Sequence, residues 1–288
     1  MTGTLLSFGH GYSARALSAR LLAQGWRVIG TTRTPDRADE IAATGAEPLI
    51  WPGAPLEPAL RAATHLLVSA APDADGDPVL RAAGEAIAAH ARHVVWMGYL
   101  STTGVYGDHG GDWVDEDTPL HPATERGRRR VSAETAWRAL AQDTGLPLHI
   151  FRLAGIYGPG RGPFEKVRNG TARRIVKPGQ VFSRIHVDDI AQVLAASIAH
   201  PNPVRAYNVC DDDPAPPQDV IAEAARLLGM PLPPEVPFET ADLGPMAASF
   251  YAESKKVRND RIKYELGVRL LYPTYRDGLR AVKADEGL

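Results

Sequence analysis

The stretch LLSFGHGYSARALSARLLAQGWRVIGTTR, residues 5–33, decides the fold. An apolar run enters a turn containing Gly9 and Gly11, a helical pattern follows, and a second apolar run ends in Thr-Thr-Arg. Because a glycine-rich turn between a strand and a helix lets backbone N–H groups face a phosphate, this order predicts a dinucleotide-binding βαβ unit. The third glycine position holds Ala14, which is small enough to pack the helix against the strand.

The same alternation continues through the first half of the chain. Short apolar runs typical of buried parallel strands lie at 4–8, 27–32, 47–51, 65–70, 93–98 and 148–154. Helical patterns separate them at 13–24, 35–44, 56–62, 78–91 and 124–144. This spacing predicts an α/β fold with a doubly wound parallel sheet of the Rossmann type.

The second half of the chain has a looser pattern. We assign residues 1–160 to a dinucleotide-binding Rossmann domain, with residues 187–211 returning to its sheet. Residues 161–288 then form mainly a smaller C-terminal substrate lobe over the carboxyl edge of the sheet.

The composition limits the classes of partner that this chain is expected to bind. A formal net charge of −2 over 288 residues gives no basic footprint for nucleic acid. The single Cys210 excludes an intramolecular disulfide framework and fits a reducing compartment. No run approaches the roughly 18 apolar residues that a membrane span needs. We therefore expect a cytoplasmic protein that binds a small molecule, without nucleic acid, a membrane or a metal ion as partner.

The end of the second strand indicates which cofactor is preferred. NAD sites usually carry an acidic residue there to hold the ribose 2′-hydroxyl, whereas this chain has Thr32 and Arg33. A guanidinium pairs well with a 2′-phosphate, so we predict NADP(H) in preference to NAD(H), with Arg15 and Arg37 as helpers. The alternative is that Arg33 is a solvated surface arginine.

Other cofactor contacts are expected at the carboxyl ends of the first and fourth strands, where open α/β sheets bind ligands. Small side chains at residues 69–71 suit close approach of a ribose, although packing against neighbouring chain is an equal alternative. Besides Thr32 and Arg33, the predicted cofactor-binding residues are Gly9, Gly11, Tyr12, Ser13, Ala14, Ser69, Ala70 and Ala71.

The segment MGYLSTTGVYG, residues 97–107, combined with the glycine loop, resembles the extended short-chain dehydrogenase/reductase family, the NAD(P)-dependent epimerase/dehydratase group. RLAGIYGPGR at 152–161 and RIHVDD at 184–189 extend the likeness in the family's order. The resemblance is to an atypical branch of small bacterial epimerase-like proteins. It implies an NAD(P)-dependent oxidoreductase acting on a small polar substrate, with a nucleotide sugar as one candidate. Many members of the family dimerise, so a homodimer is also an expectation.

The resemblance implies catalytic roles as well. It places the catalytic hydroxyl on Thr102, beside Ser101, where it would hydrogen-bond a substrate oxygen whose charge changes during hydride transfer. The family's Tyr-x-x-x-Lys pair falls on Arg126 and Arg130. A guanidinium stays protonated in proteins, so Arg126 is a poor acid or base, whereas Arg130 can still hold a ribose or phosphate. These four residues are the predicted catalytic set, and Arg130 is also predicted to bind the cofactor.

The missing tyrosine leaves two functions open. The first is an active oxidoreductase with another proton donor, for which the candidates are Tyr99, Glu125, Tyr157 and His186. The second is a catalytically silent NADP(H)-binding sensor or scaffold protein, which accounts for Arg126 without a proton donor. Asp188, in the loop before a predicted helix, resembles a helix N-cap.

Overall fold

A seven-stranded parallel sheet organises the computed structural model, which describes the backbone of residues 2–288 and the side chains of all of these except 245–247. The strands are β1 (Thr4–Phe8), β2 (Arg27–Thr32), β3 (Glu47–Ile50), β4 (His65–Val68), β5 (Trp96–Thr102), β6 (Trp113–Val114), β7 (Leu148–Leu153), β8 (Gly155–Tyr157), β9 (Arg174–Val176), β10 (Arg184–His186), β11 (Ala206–Val209), β12 (Glu235–Pro237) and β13 (Lys256–Val257). The central sheet has the order β11-β7-β5-β4-β1-β2-β3, and the other strands form two-stranded pairs.

Helices cover both faces of this sheet. They are α1 (Tyr12–Leu22), α2 (Pro35–Ala42), α3 (Glu57–Ala62), α4 (Pro78–His90), α5 (Glu125–Thr144), α6 (Phe164–Arg168), α7 (Val187–Ala199), α8 (Pro217–Leu228), α9 (Pro245–Phe250), α10 (Asp260–Leu266) and α11 (Tyr275–Asp285). Apolar residues of α1, α2 and α7 pack in one buried cluster and those of α3, α4 and α5 in another. The doubly wound parallel Rossmann sheet predicted from the sequence is therefore confirmed.

Strand β5, which carries the predicted catalytic hydroxyl, has different bounds from those predicted. The sequence suggested 93–98, whereas β5 runs from Trp96 to Thr102. A 3₁₀ turn at Ala91–His93 delays its start. At the other end, pairing of Ser101 with Arg152 and of Thr102 with Leu153 keeps the polar residues extended. Both hydroxyl residues consequently lie on the last, rigid part of a central strand.

The later part of the chain has an apolar cluster of its own. Residues of α6, α8 and α11 pack together in it, including Phe164, Ala224 and Leu279. Meanwhile α7 packs on α1, and β11 pairs with β7. The boundary at residue 160 between two domains stays a prediction. Within residues 2–288, no helix combines the length and apolarity needed to cross a membrane.

Candidate functional site

A cavity of about 780 Å³ lies where the carboxyl ends of β1, β4 and β5 meet the loop after β7 and the C-terminal segment. Its volume falls in the range usual for small-molecule sites. Ten residues predicted from the sequence line it together: Gly9, Gly11, Tyr12, Ser13, Ser69, Ala71, Ser101, Thr102, Arg126 and Arg130. The structure thus brings most of the predicted cofactor-binding and catalytic residues to one place.

Four predicted cofactor residues lie outside the cavity lining. Ala14 is fully buried in the first turn of α1, which fits its expected packing role. Ala70 packs against Gly9, and a Cβ added to Gly9 would lie only 3.0 Å from the Ala70 nitrogen. The Thr32 hydroxyl accepts a hydrogen bond from the Thr34 N–H at 3.4 Å, and Arg33 is exposed at the end of β2.

The glycine loop has the geometry that a pyrophosphate requires. Gly9 has a φ of +76°, a conformation that favours glycine. Around Gly11 the protein leaves open space, since the nearest atom to an added Cβ would be the Gly9 oxygen at 3.8 Å. Helix α1 begins there without a side-chain cap and without an acidic residue in its first turn. Its first N–H groups are therefore available to an anion, and the residues present fit a dinucleotide.

The middle residue of the loop, His10, was not singled out from the sequence. Its ring lies against Gly30 of β2, where an added Cβ would come within 2.7 Å of the His10 Cγ. Burial, with a smaller contribution from Arg15, lowers the pKa of His10 to about 4, so the ring is neutral at pH 7. Gly30 is thus required for packing, and this contact anchors the phosphate loop to the second strand.

The region predicted to hold a 2′-phosphate contains three arginines. Arg15 forms an ion pair with Glu40 at 2.6 Å, so its charge is partly offset. Arg33 and Arg37 are exposed, and Arg33 forms no ion pair with any residue in the described part of the chain. Arg33 and Arg37 are therefore the guanidinium groups of this region that remain available to an anionic ligand.

The two neighbouring hydroxyls at the end of β5 have different surroundings. Ser101 is buried and donates a hydrogen bond to Glu134 at 2.5 Å. Thr102 accepts a hydrogen bond from the Gly104 N–H at 3.2 Å, which caps the following 3₁₀ turn. Since that bond uses only an acceptor site, the Thr102 proton can still be donated into the cavity. Thr102 remains the better candidate for contact with substrate.

Ser101 belongs to a buried polar network beneath the cavity. Arg152 donates to both carboxylate oxygens of Glu134, at 2.9 and 3.2 Å, with the two side chains 5% and 2% exposed. Arg152 also donates to the Tyr106 hydroxyl at 2.9 Å, and this hydroxyl donates to Asn208 at 2.7 Å. The network joins α5 to β7 and β11, and so fixes the helix that carries Arg126 and Arg130.

Arg126 and Arg130 lie one turn apart on α5, and both line the cavity. Thr124 caps the helix by accepting the Gly127 N–H at 3.1 Å. Arg130 is buried and donates to the Tyr99 hydroxyl at 3.1 Å and the Leu100 carbonyl at 2.6 Å. It has no ion-pair partner among the described residues, and its Nε has no hydrogen-bond partner there. A buried guanidinium with only neutral partners favours an anionic or hydroxyl-bearing ligand.

Arg126 points at the same cavity, with its guanidinium 5.9 Å from the centre of the Phe250 ring. Burial, followed by the neighbouring charges of Arg130 and Arg161, lowers its pKa below the usual value for arginine. The side chain nevertheless stays charged at neutral pH, because arginine starts from a pKa above 12. It can stabilise negative charge but is a poor proton donor.

The four candidate proton donors are placed unfavourably for donating a proton to a ligand in the cavity. Glu125 is exposed and paired with Arg128 and Arg129, both at 3.1 Å, and does not line the cavity. Burial raises the pKa of Tyr99, which accepts its hydrogen bond from Arg130. Tyr157 lines the cavity, but its hydroxyl is buried against Gly278. The contact is so close that a Cβ added to Gly278 would collide with the hydroxyl.

His186, the fourth candidate, is fully buried and is the N-cap of α7. Its Nδ1 accepts the Asp188 N–H at 3.3 Å. The expectation that Asp188 caps this helix is therefore wrong, because the imidazole two residues earlier already occupies that role. Asp189 instead accepts backbone N–H bonds from Leu271 and Tyr272, at 2.7 and 3.1 Å, which ties down the C-terminal segment.

The cavity also contains residues that the sequence did not mark as functional. Three of them are basic: Arg161, Arg184 and Lys255. Another four are aromatic: Phe182, Phe250, Tyr251 and Tyr275. Arg161 and Arg184 lie within the motifs GIYGPGR and RIHVDD, so the sequence did contain a signal that they are near the site. Among the described residues, no group of three or more His, Cys, Asp or Glu is arranged to hold a metal ion.

Comparison with known proteins identifies similar chains. The model of the NAD dependent epimerase/dehydratase family matches residues 80–210. Protein YeeZ of Escherichia coli strain K12 is 30% identical over 282 residues, covering 92% of this chain and 94% of that protein. A 3-diazoavenalumate denitrifying reductase of Streptomyces is 30% identical over 178 residues, or 58% of each chain. A solved structure of a functionally unknown conserved protein from Silicibacter pomeroyi DSS is 67% identical, with a TM-score of 0.95 and 99% of both chains covered.

The buried Glu134–Arg152 ion pair leads to a prediction about the free energy of unfolding. Arg152→Met leaves the Glu134 carboxylate buried without its cation, and we expect a loss of about 3–5 kcal/mol in the free energy of unfolding by urea. Adding Glu134→Gln removes the buried charge, so the double variant should be more stable than Arg152→Met alone.

Arg128→Met is the matched control on the same helix, since Arg128 is exposed and bonds only Glu125 and the Ala123 carbonyl, both at 3.1 Å. It should cost about 1 kcal/mol or less. A double variant destabilised by the sum of its two single changes would show that Glu134 and Arg152 are not coupled.

Proposed function

Because the chain belongs to the NAD-dependent epimerase/dehydratase family, we propose that it is an oxidoreductase that uses NADP(H) to reduce or oxidise a small polar substrate. The observation that carries this proposal is that the phosphate loop, Thr102, Arg126 and Arg130 line one cavity. The reductase name of the Streptomyces relative supports catalysis by a chain of this kind.

The chain's own residues supply binding and electrostatics. The nicotinamide ring carries the hydride when the cofactor is bound. The start of α1 would hold the pyrophosphate, and Arg130 would hold the ribose beside it. Thr102 would donate a hydrogen bond to the substrate oxygen on which negative charge develops, and Arg126 would stabilise that charge. A proton, where the product needs one, would come from solvent rather than from a tyrosine.

A nucleotide sugar is one substrate candidate, because the arginines of the cavity suit a diphosphate. The second candidate function is a catalytically silent NADP(H)-binding sensor or scaffold. The feature that favours it is Arg126, which occupies the place where the resemblance expects the tyrosine general acid.

Cofactor preference depends on Arg33. Native protein should bind NADP(H) more tightly than NAD(H) in calorimetric titrations. Arg33→Ser should weaken NADP(H) binding by about 10–100-fold, since it removes a charge-assisted contact, and should leave NAD(H) nearly unchanged. Arg92→Ser, in the exposed turn before β5 at the opposite edge of the sheet, is the control and should change neither. Tighter binding of NAD(H) by the native protein would refute the role given to Arg33.

Catalysis is tested by loss of NADPH absorbance with a panel of carbonyl compounds and sugar nucleotides. For any compound that is reduced, Thr102→Val should lower kcat by about 10²-fold or more, without changing the rise in Tm that NADPH causes. Thr135→Val is the control, because the Thr135 hydroxyl bonds only its own helix at Val131. If the native protein reduces nothing and Arg126→Tyr creates activity, the silent function is correct.

A further inference from the structure

One part of the cavity lining, here called the aromatic wall, consists of aromatic side chains. Phe182, Phe250 and Tyr251 form it. The rings of Phe182 and Tyr251 meet edge to face, with centroids 5.6 Å apart, and Phe238 supports Tyr251 from behind at 5.2 Å. Phe250 is 51% exposed, so its ring still has apolar surface to cover. Aromatic surface in this arrangement favours a flat, apolar ligand.

Guanidinium groups border these rings. Arg126 lies 5.9 Å from the Phe250 ring centre, and Arg184 lies 5.9 Å from that of Phe182. Arg184 donates to the carbonyls of Phe182 and Ala215, at 2.8 and 3.0 Å, and these carbonyls carry no net charge. Neither arginine forms an ion pair with a residue in the described part of the chain. The charge of Arg126 is therefore not offset by an ion pair, whereas the nearby Asp211 and Asp213 carboxylates act on Arg184.

Carboxylates are scarce in the same cavity. The one acidic residue among its described lining residues is Glu253, which is paired with Lys255 at 2.7 Å. Arginine and lysine donate hydrogen bonds but cannot accept them, so the charged groups of the cavity complement an anionic ligand.

We propose that this wall binds a planar aromatic carboxylate, with the ring against Phe250 and Phe182 and the carboxylate on Arg126 and Arg184. This inference rests on the proposed function, because it names the class of substrate that would lie beside the cofactor. A nucleotide sugar shares a flat ring and an anionic group but adds many hydroxyls. The aromatic surface around Phe250 and Phe182 favours the simpler aromatic acid, which has no hydroxyls to desolvate.

The test compares matched ligands by calorimetry on the full chain, with and without NADPH. The probes are 3-phenylpropionate, its saturated analogue 3-cyclohexylpropionate, the neutral methyl ester of the phenyl acid, and UDP-glucose. We expect the phenyl acid to bind about 2–10-fold more tightly than the saturated acid and at least about 10-fold more tightly than the ester. UDP-glucose should bind more weakly than the phenyl acid.

Two variants test which residues cause these binding preferences. Phe250→Leu should abolish the preference for phenyl over cyclohexyl, and Arg126→Gln should abolish the preference for acid over ester. Arg128→Gln is the matched control on α5, because Arg128 is exposed and outside the cavity. It should change neither preference. In Phe250→Leu and Arg128→Gln the rise in Tm caused by NADPH should equal that of the native protein, which shows that the cofactor site is intact.

Failure of this inference is distinguishable from failure of the proposed function. Normal NADPH binding combined with tighter binding of UDP-glucose, or with equal binding of the phenyl and cyclohexyl acids, would overturn the aromatic-acid site and leave the cofactor proposal standing. A native protein that gives neither heat nor a shift in Tm with NADPH would overturn the proposed function itself.

Discussion

The buried ion pair between Glu134 and Arg152 is the contact on which the geometry of the site depends. Two charges at 5% exposure or less are costly to bury unless both are fully hydrogen-bonded. Here Ser101, Tyr106 and the two partners satisfy one another across α5, β5 and β7. The pair therefore holds α5 at a fixed position against the sheet, and the two arginines earlier in that helix face the cavity as a result.

What those arginines provide is charge rather than a transferable proton. Arg126 and Arg130 have neutral partners, and the acidic residue that lines the cavity is paired with Lys255. A site with this balance stabilises anions and offers little general acid chemistry. Substrates whose reduction needs no proton from the protein fit it best. The aromatic wall beyond Arg126 adds a preference for flat ligands.

Much of the fold follows from local sequence. The turn around Gly9 and the apolar runs of β1 and β2 have short-range causes, so their predicted and observed bounds agree closely. The start of β5 was missed because a 3₁₀ turn replaces its first residues. Phe250 reaches the site from a segment more than a hundred residues after Arg126, and no spacing in the sequence indicates such a contact. The pairing of Glu134 with Arg152 likewise depends on how helix and strand pack.

The most direct measurement of the central claim is a crystal structure with NADPH bound, examined within about 3.5 Å of the nicotinamide C4 and the substrate position beside it. The account predicts that the Thr102 hydroxyl and the Arg126 guanidinium are the polar side-chain groups facing that position. The pyrophosphate should lie at the start of α1. A tyrosine hydroxyl or the His186 imidazole turned toward the C4 atom would contradict it, because the site would then contain the proton donor that this account excludes.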